Sequence, residues 1–313
     1  FYENMKKSTL KDLPSVSQVL IGLNGSLEIH DKYLKFLINE AIDIYRDKIK
    51  KGQLSKRPQE LLNLIIDKVK VKSSHSLVNL INGTGIVLHT GFGRAPFQSK
   101  FLKNIANRME GYVNLEFDLD SGKRGDRQLH IQNHISSICG SESSLCVNNN
   151  ASAVMLALNE MANGGEVIVS RGQLVEIGGS FRIPDIIEKS GAILREIGTT
   201  NRTHLSDYKK AITKKTKLIL WVHTSNYVVK GFTHSVPLSD LIALGKKNRI
   251  PVMVDWGSGA MLDMKKLGLA NEIPIRSIIK DKPDIITFSG DKLPESIELS
   301  WFLILRKLKK SFF

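Results

Sequence analysis

Apolar residues recur with a helical period through the first part of the chain. In the stretch DKYLKFLINEAIDIYRDKIKKG, Tyr33, Leu37 and Tyr45 fall on one helical face, which predicts an amphipathic helix that ends near Gly52. The stretch RPQELLNLIIDKVKVK predicts a second helix, because Pro58 suits a first helical turn. The N-terminal part of the chain is therefore expected to be helical.

From about residue 80 the pattern changes to short apolar runs separated by segments of helix length. The runs are SSLCVNN, EVIVSR, AILREIG, KLILWVH, IPVMVDW and DIITFSG. Runs that are apolar on both faces are typical of buried strands in a mostly parallel sheet, so the predicted fold class is α/β. Ligands of such sheets bind at the carboxyl ends of the strands, so the polar residues that follow these runs are candidate site residues.

The charge of the chain favours a polyanionic partner such as nucleic acid. Lys and Arg together number 45 against 31 Asp and Glu, which gives a net charge of +14. A basic cluster lies between the two predicted helices and comprises Lys48, Lys50, Lys51, Lys56 and Arg57. It is suited to contact phosphates, and the alternative is an ordinary solvated helix end.

Several classes of protein are disfavoured by the sequence. There is no uncharged apolar run of roughly eighteen residues, so no membrane span is predicted. The N-terminus has no apolar region typical of a signal peptide, and the absence of Met at position 1 suggests a fragment. Cys139 and Cys146 are too few and too close for a disulfide framework, so we expect reduced thiols in a cytoplasmic protein.

Two strand ends carry polar clusters whose roles stay open from sequence alone. In LCVNNNASAV, Asn148, Asn149 and Asn150 precede a predicted helix, whose N-terminal N–H groups would suit a phosphate. The alternative is that an Asn only caps the helix. In LWVHTSN, His223 follows a buried run, and it is either a site residue or a packed histidine.

Two further strand ends carry a carboxylate and a lysine. Asp255 ends IPVMVDW, where a buried carboxylate is costly unless a cation pairs with it. Lys292 follows DIITFSG, where desolvation would lower its pKa and make its amine nucleophilic. With a phosphate-binding helix, these are the parts of a pyridoxal phosphate site, in which the lysine forms the Schiff base and the carboxylate pairs with the pyridinium nitrogen. The competing interpretation is the charged rim of an ordinary α/β pocket. No metal site is predicted.

Longer motifs resemble one family. INGTGIVLHTGFGRAP, NLEFDLDSGKRGDR, SRGQLVEIGGSFRIPD, GTTNRTHLSDY, VHTSNYVVKGFT and FSGDKL are similar to the bacterial selenocysteine synthases, the L-seryl-tRNA(Sec) selenium transferases, and the match runs from about Leu13 to Leu293. The resemblance implies a pyridoxal phosphate fold of the aspartate-aminotransferase type, a basic N-terminal region that contacts tRNA, and a homo-oligomer built as a ring of dimers.

The resemblance also implies roles for individual residues. The cofactor-binding residues would be Lys292, Asp255, Asn149, Asn150 and Ala151, and we add His223 to this set. Arg94, in GFGRAP, would hold selenophosphate, and Asp291 would assist proton transfer beside the lysine. One departure is Trp256, which stands where the family usually has a smaller residue.

The end of the chain departs further from the family. After the lysine the family continues with a Gly-Gly-Pro-Gln segment and a long C-terminal domain, whereas this chain reads PESIELSWFLILRKLKKSFF. We therefore expect a helical region over residues 1–75, a cofactor-binding domain over 76–293, an atypical and possibly frameshifted tail over 294–313, and no C-terminal small domain. Amphipathicity in IELSWFLILRKLKK would allow a helix in the tail.

The predicted function is conversion of seryl-tRNA(Sec) to selenocysteinyl-tRNA(Sec) with selenophosphate, through a dehydroalanyl-tRNA. The short C-terminal region is expected to impair it. One alternative is a related pyridoxal phosphate lyase that acts on a small amino-acid derivative without tRNA. Another is an inactive remnant that only binds RNA or associates with a full-length partner.

Overall fold

The computed structural model describes residues 7–86, 88–177, 181–261, 263, 265, 272–290, 292 and 302–305. The chain divides into two compact units, Phe1–Ile81 and Asn82–Phe313. In the described part of the chain, no helix combines the length and the apolar character that a membrane span requires. Cys139 and Cys146 are both free thiols, as the sequence predicts.

The first unit is a small helical domain. Its elements are a 3-10 turn at Leu10–Asp12, α1 at Val16–Leu23, α2 at Asp31–Lys50 and α3 at Pro58–Ser73. The two helices predicted from the apolar period are confirmed as α2 and α3, and Pro58 occupies the first turn of α3. Side chains such as Val19, Ile38 and Leu61 are fully buried where the three helices pack together, because the apolar stripe of each helix faces the others.

The second unit alternates strands with helices. Its helices are α4 at Ser99–Met109, α5 at Leu129–Cys139, α6 at Asn150–Ala162, α7 at Ile183–Lys189, α8 at Leu205–Ala211, α9 at Leu238–Asn248 and α10 at Ile275–Lys280. Its strands are β1 at Phe117–Asp118, β2 at Lys123–Arg124, β3 at Ser143–Cys146, β4 at Glu166–Ser170, β5 at Glu176–Ile177, β6 at Phe181–Arg182, β7 at Ile193–Ile197, β8 at Thr216–Val222, β9 at Val252–Trp256, β10 at Ile285–Phe288 and β11 at Phe302–Leu305. Short 3-10 turns lie at Thr90–Phe92 and Arg171–Gln173.

One sheet of seven strands forms the centre of this unit, in the order β3-β11-β10-β9-β8-β4-β7. Strands β10, β9, β8, β4 and β7 pair in parallel, whereas β11 runs antiparallel to both β10 and β3. Each of the six apolar runs identified in the sequence is a strand of this sheet. The prediction of a mostly parallel α/β sheet is therefore confirmed.

The tail contributes one strand to the sheet. The helix considered for IELSWFLILRKLKK is wrong for residues 302–305, which form β11 between β3 and β10. The physical reason is that both neighbouring strands present backbone N–H and C=O groups along their edges, and only an extended segment pairs with both rows. The rest of the tail lies outside the described residues.

The sheet is covered on both faces, and this fixes the direction of the side chains at its edge. Met253 packs on the face that α6 and α7 cover, whereas Val254 and Trp256 pack on the face that α5 and α10 cover. Because side chains alternate along a strand, Asp255 points to the same face as Met253 and so towards α6. The N-terminus of α6 and the end of β9 therefore meet on one side of the sheet.

Candidate active site

The carboxyl ends of β8, β9 and β10 bring three predicted site residues together. His223 follows β8, Asp255 is the next-to-last residue of β9, and Lys292 follows β10. Burial raises the pKa of Asp255 and lowers that of His223, and the charge of Lys292 also acts on both groups, as expected when its amine lies near them. The Nζ atom of Lys292 donates a hydrogen bond of 2.7 Å to the carbonyl oxygen of Gly257 in the turn after β9.

The Asp255 carboxyl group is buried, with 3% of the residue exposed, and it is held by two donors. Asn150 Nδ2 lies 2.8 Å from Asp255 Oδ1, and Thr287 Oγ1 lies 3.3 Å from the same oxygen. Burial raises the pKa of Asp255 to about 6, although both hydrogen bonds and the charge of Lys292 oppose the rise. A further cation beside Asp255 would therefore stabilise the ionised form of its carboxyl group.

A close backbone approach joins the turn after β9 to the segment after β10. Gly259 has φ of +66°, and a Cβ added there would lie 2.0 Å from the carbonyl oxygen of Ser289. Glycine is required here because it has no side chain and adopts this conformation without strain. The contact fixes the segment that leads to Lys292 against the turn that follows Asp255.

Asn150 and Asn149 have different roles at the start of α6. Asn150 is the first helical residue, and it uses its amide nitrogen on Asp255, whereas its Oδ1 is buried without a hydrogen-bond partner among the described residues. Asn149 is the N-cap, and its Oδ1 accepts from Ser152 N at 2.7 Å and from Ser152 Oγ at 2.8 Å. The capping alternative is thus confirmed for the Asn149 oxygen. Ala151 is the second residue of the helix.

Replacing Asn149 tests the capping role directly. We expect Asn149→Ala to lower the free energy of unfolding by about 1 kcal/mol, because the N–H of Ser152 loses its acceptor, and Asn149→Ser to retain most of the stability. Urea denaturation of the cofactor-free protein measures both values. Asn148→Ala is the matched control, since Asn148 is exposed and lies before the helix. Equal effects of the two alanine substitutions would contradict the capping role.

His223 lies in an aromatic group at the end of β8. Its ring stacks on Trp256 with centroids 3.8 Å apart and an interplanar angle of 15°, and Trp221 stacks on Trp256 at 5.9 Å. Its Nδ1 atom lies 3.6 Å from Oε1 of Glu272. Burial lowers the pKa of His223, the Glu272 carboxylate raises it, and Lys292 lowers it further. The imidazole is therefore neutral near pH 7.

A cavity of about 310 Å³ opens beside the end of β8. Its lining includes His223, Trp221, Gln173, Tyr227 and His234, so it is polar and aromatic in character. Gln173 connects it to the sheet, since its Oε1 accepts from the backbone N–H of Val222 at 3.2 Å. His223 is therefore shared between the cavity and the group of residues around Lys292.

Two further site residues were predicted from the sequence, Arg94 and Asp291. Arg94 follows the 3-10 turn at Thr90–Phe92 and has a left-handed backbone, with φ of 65°. Its role at selenophosphate stays a prediction. Asp291 lies outside the described residues, so its role in proton transfer also stays a prediction.

The basic cluster belongs to the first unit, where α2 ends and α3 begins. Lys48 and Lys50 lie in the last turn of α2, and Lys51 is its C-cap. Lys56 and Arg57 precede α3, and both form ion pairs with Glu60, at 3.8 Å and 2.7 Å respectively. These two charges are partly neutralised, and the exposed lysines at the end of α2 carry most of the positive charge of the cluster.

The comparisons with known proteins identify the family. Residues 80–300 match the family model described as L-seryl-tRNA selenium transferase. The chain belongs to this family. It is 46% identical over 292 residues to the L-seryl-tRNA(Sec) selenium transferase of Nitratidesulfovibrio vulgaris, which covers 90% of this chain and 62% of that protein. It is 45% identical over 287 residues to the enzyme of the same name from Caldanaerobacter subterraneus, with the same coverage of 90% and 62%.

The fold of this chain also resembles that of a solved structure. Among solved structures, D-glucosaminate-6-phosphate ammonia-lyase superposes with a TM-score of 0.55 at 20% identity, covering 70% of this chain and 56% of that chain. The aspartate-aminotransferase type of fold is thereby confirmed. The chain spans about 62% of the length of the curated selenium transferases that it matches.

Two residues of the site were not predicted from the sequence motifs. Glu272 lies in the segment between β9 and α10, where neither periodicity nor a motif marks it. Trp256 is visible in the sequence only as a bulky residue after Asp255, and its contact with His223 depends on the pairing of β8 with β9. The signal for Trp256 was its size at a position where the family usually has a small residue.

Proposed function

We propose that this chain forms the cofactor-binding part of an enzyme that converts L-seryl-tRNA(Sec) to L-selenocysteinyl-tRNA(Sec) with selenophosphate, using pyridoxal phosphate. The observation that carries the proposal is the convergence of Lys292, Asp255 and Asn150 at the carboxyl edge of the sheet. Membership of the selenium transferase family supports it.

The residues present fit pyridoxal phosphate. Asp255 is a buried carboxyl group with an unusually high pKa, so a protonated ring nitrogen is a favourable partner for it. The amine of Lys292 would hold the cofactor aldehyde covalently. The backbone N–H groups of Asn150 and Ala151, in the first turn of α6, have no partner within the helix and would hold the phosphate. When bound, the cofactor supplies an electron sink that stabilises negative charge at the seryl α-carbon.

The protein side chains then orient the reaction and move a proton. Asn150 and Thr287 fix the Asp255 carboxylate, so its charge stays aligned during the reaction. Lys292 would be the base that takes the α-proton of the seryl group, because its amine lies at the same edge of the sheet as Asp255. Loss of the seryl hydroxyl as water, with its proton supplied by the Lys292 ammonium group, would then leave a dehydroalanyl group on the tRNA.

The macromolecular substrate and the selenium donor are anions, and the charge of the chain suits both. The net charge of +14 favours binding of tRNA, and the basic cluster of the first unit offers exposed lysines. Arg94 would hold selenophosphate through a bidentate contact. A homo-oligomer arranged as a ring of dimers completes the proposal.

Filter binding tests the tRNA part of the proposal. We expect more retention of seryl-tRNA(Sec) than of seryl-tRNA(Ser), with retention that falls as salt rises because phosphate contacts release counterions. A triple variant of Lys48, Lys50 and Lys51 to alanine should lose a large part of this retention.

The matched control removes the same charge elsewhere in the first unit. Lys11, Lys32 and Lys35 are exposed in that unit, and their replacement by alanine should have a smaller effect. Negligible retention of both tRNAs by the parent chain would contradict the tRNA substrate. Such a result would favour the alternative of a lyase that acts on a small amino-acid derivative.

A further inference from the structure

Two buried polar atoms face each other beside the candidate active site. His223 Nδ1 and Glu272 Oε1 lie 3.6 Å apart, and each is buried without a hydrogen-bond partner among the described residues. Buried polar groups in proteins are nearly always paired, so this arrangement points to a specific relation between the two side chains. His223 Nδ1 can carry a proton and donate a hydrogen bond, whereas the Glu272 carboxylate can only accept one.

The orientation of the His223 ring is already restricted by its neighbours. The ring lies 3.8 Å from Trp256 and nearly parallel to it, and Trp221 continues the stack on Trp256. Stacking fixes the plane of the imidazole but permits a 180° rotation about the Cβ–Cγ bond, which returns the ring to the same plane with Nδ1 and Cδ2 exchanged. The Glu272 carboxylate distinguishes the two orientations, because it favours the one that places an N–H group towards it.

Charge determines which protonation state occupies that orientation. The charged groups that act on His223 are Glu272, which raises its pKa, and Lys292, which lowers it, and burial lowers the pKa more than either. A neutral imidazole has one N–H group. Beside a carboxylate that group is on Nδ1, so Nε2 is left unprotonated and can accept a hydrogen bond.

We propose that Glu272 is a positioning residue that holds His223 in its Nδ1–H tautomer, with Nε2 as a proton acceptor at the edge where β8, β9 and β10 end. This inference rests on the proposed function, because Glu272 would be a further residue of the same active site. His223 itself stays neutral near Lys292, because burial disfavours its charge and a protonated imidazole would place a second positive charge near that amine. The same arrangement of carboxylate, imidazole and reactive group orients histidines in many enzymes.

Long-range proton–nitrogen NMR of protein labelled with ¹⁵N-histidine tests the inference without cofactor or tRNA. The His223 signals are assigned by their absence in His223→Gln. At pH 7 we expect Nδ1 of the parent protein to carry the proton and Nε2 to show the shift of an unprotonated nitrogen. An Nε2–H tautomer in the parent protein would overturn the proposal, and that measurement requires no other variant to fold.

Two substitutions of Glu272 separate its charge from its role as an acceptor. In Glu272→Gln the side-chain oxygen remains, so the Nδ1–H tautomer should persist while the titration midpoint of His223 falls, because a carboxylate that raised its pKa is gone. In Glu272→Ala the tautomer should change to Nε2–H as the major form, which is the preference of free histidine. An unchanged tautomer in Glu272→Ala would refute the positioning role.

Asp263→Asn is the matched control. Asp263 belongs to the same segment, is exposed, and accepts a hydrogen bond from the backbone N–H of Lys265 at 3.2 Å. Its substitution removes one negative charge from the segment and should leave both the tautomer and the midpoint of His223 unchanged. Because all of these measurements use the cofactor-free protein, failure of tRNA binding and failure of this inference are distinguishable.

Discussion

Replacing Lys292 with alanine is expected to abolish the covalent capture of pyridoxal phosphate. Lys292 is the described lysine that lies close enough to Asp255 and His223 to act on the pKa of both. The remaining groups would still bind the phosphate and the ring, so the variant should take up cofactor that dialysis removes. The parent should retain it and show the visible absorbance of cofactor joined to a lysine.

Borohydride reduction followed by peptide mapping measures the site of attachment. In the parent, the pyridoxyl group should be recovered on the peptide that contains Lys292. Lys280→Ala is the control, because Lys280 is exposed at the end of α10, and this variant should behave as the parent. Recovery of the pyridoxyl group on a different lysine of the parent would refute the assignment.

Replacing Asp255 with asparagine should stabilise the cofactor-free protein at pH 8 by up to roughly 3 kcal/mol. The folded protein raises the pKa of Asp255 from 3.8 to about 6, and a difference of that size corresponds to about 3 kcal/mol at a pH above both values. Asparagine is nearly isosteric and retains the oxygen that accepts from Asn150 and Thr287. The variant therefore loses the buried charge but keeps the hydrogen bonds.

The sign of the pH dependence is fixed by the direction of this shift. The folded form binds the Asp255 proton more tightly than the unfolded form. The contribution of Asp255 to the free energy of unfolding is therefore fully present below pH 3.8 and is lost as pH rises through about 6. The difference in unfolding free energy between parent and variant should therefore be small near pH 4 and largest above pH 6.

Urea denaturation at several pH values measures this difference. Asp281→Asn is the control, since Asp281 is exposed at the end of α10 and should show no such pH dependence. Added pyridoxal phosphate should reverse the ranking, because the parent gains a cation at Asp255 and the variant does not. A variant that is destabilised equally at every pH would contradict the buried-charge interpretation.

The centre of the sheet was predictable from sequence because the strands β4, β8, β9 and β10 are buried along most of their length. Runs such as EVIVSR and KLILWVH leave few alternatives to a central strand, and β4 and β8 occur where those runs lie. The convergence of Asp255 and Lys292 followed from the same property, since parallel strands end at one edge of the sheet. The local pattern of apolar residues was therefore sufficient to predict both the central strands and the polar residues at their ends.

Other features depend on contacts that no local pattern contains. Asn149 was ambiguous between a cap and a phosphate ligand, because both roles use the first turn of a helix. Glu272 lies beside His223 in the structure although the two residues are far apart in the sequence. The four residues of β11 are all apolar and lie in a longer stretch whose pattern also suits a helix, so only their pairing with β3 and β10 shows that they form a strand.

The position of β11 has a consequence for the order in which the protein is assembled during synthesis. Strand β3 pairs with β11 and not with β10, so it joins the described sheet only after residues 302–305 have left the ribosome. The parallel strands β4, β7, β8, β9 and β10 pair with one another directly and are complete earlier. The helix that would hold the cofactor phosphate, α6, packs directly on β8 and β10, and its Asn150 bonds to Asp255 of β9, so the phosphate and carboxylate parts of the site are assembled without the strand β11.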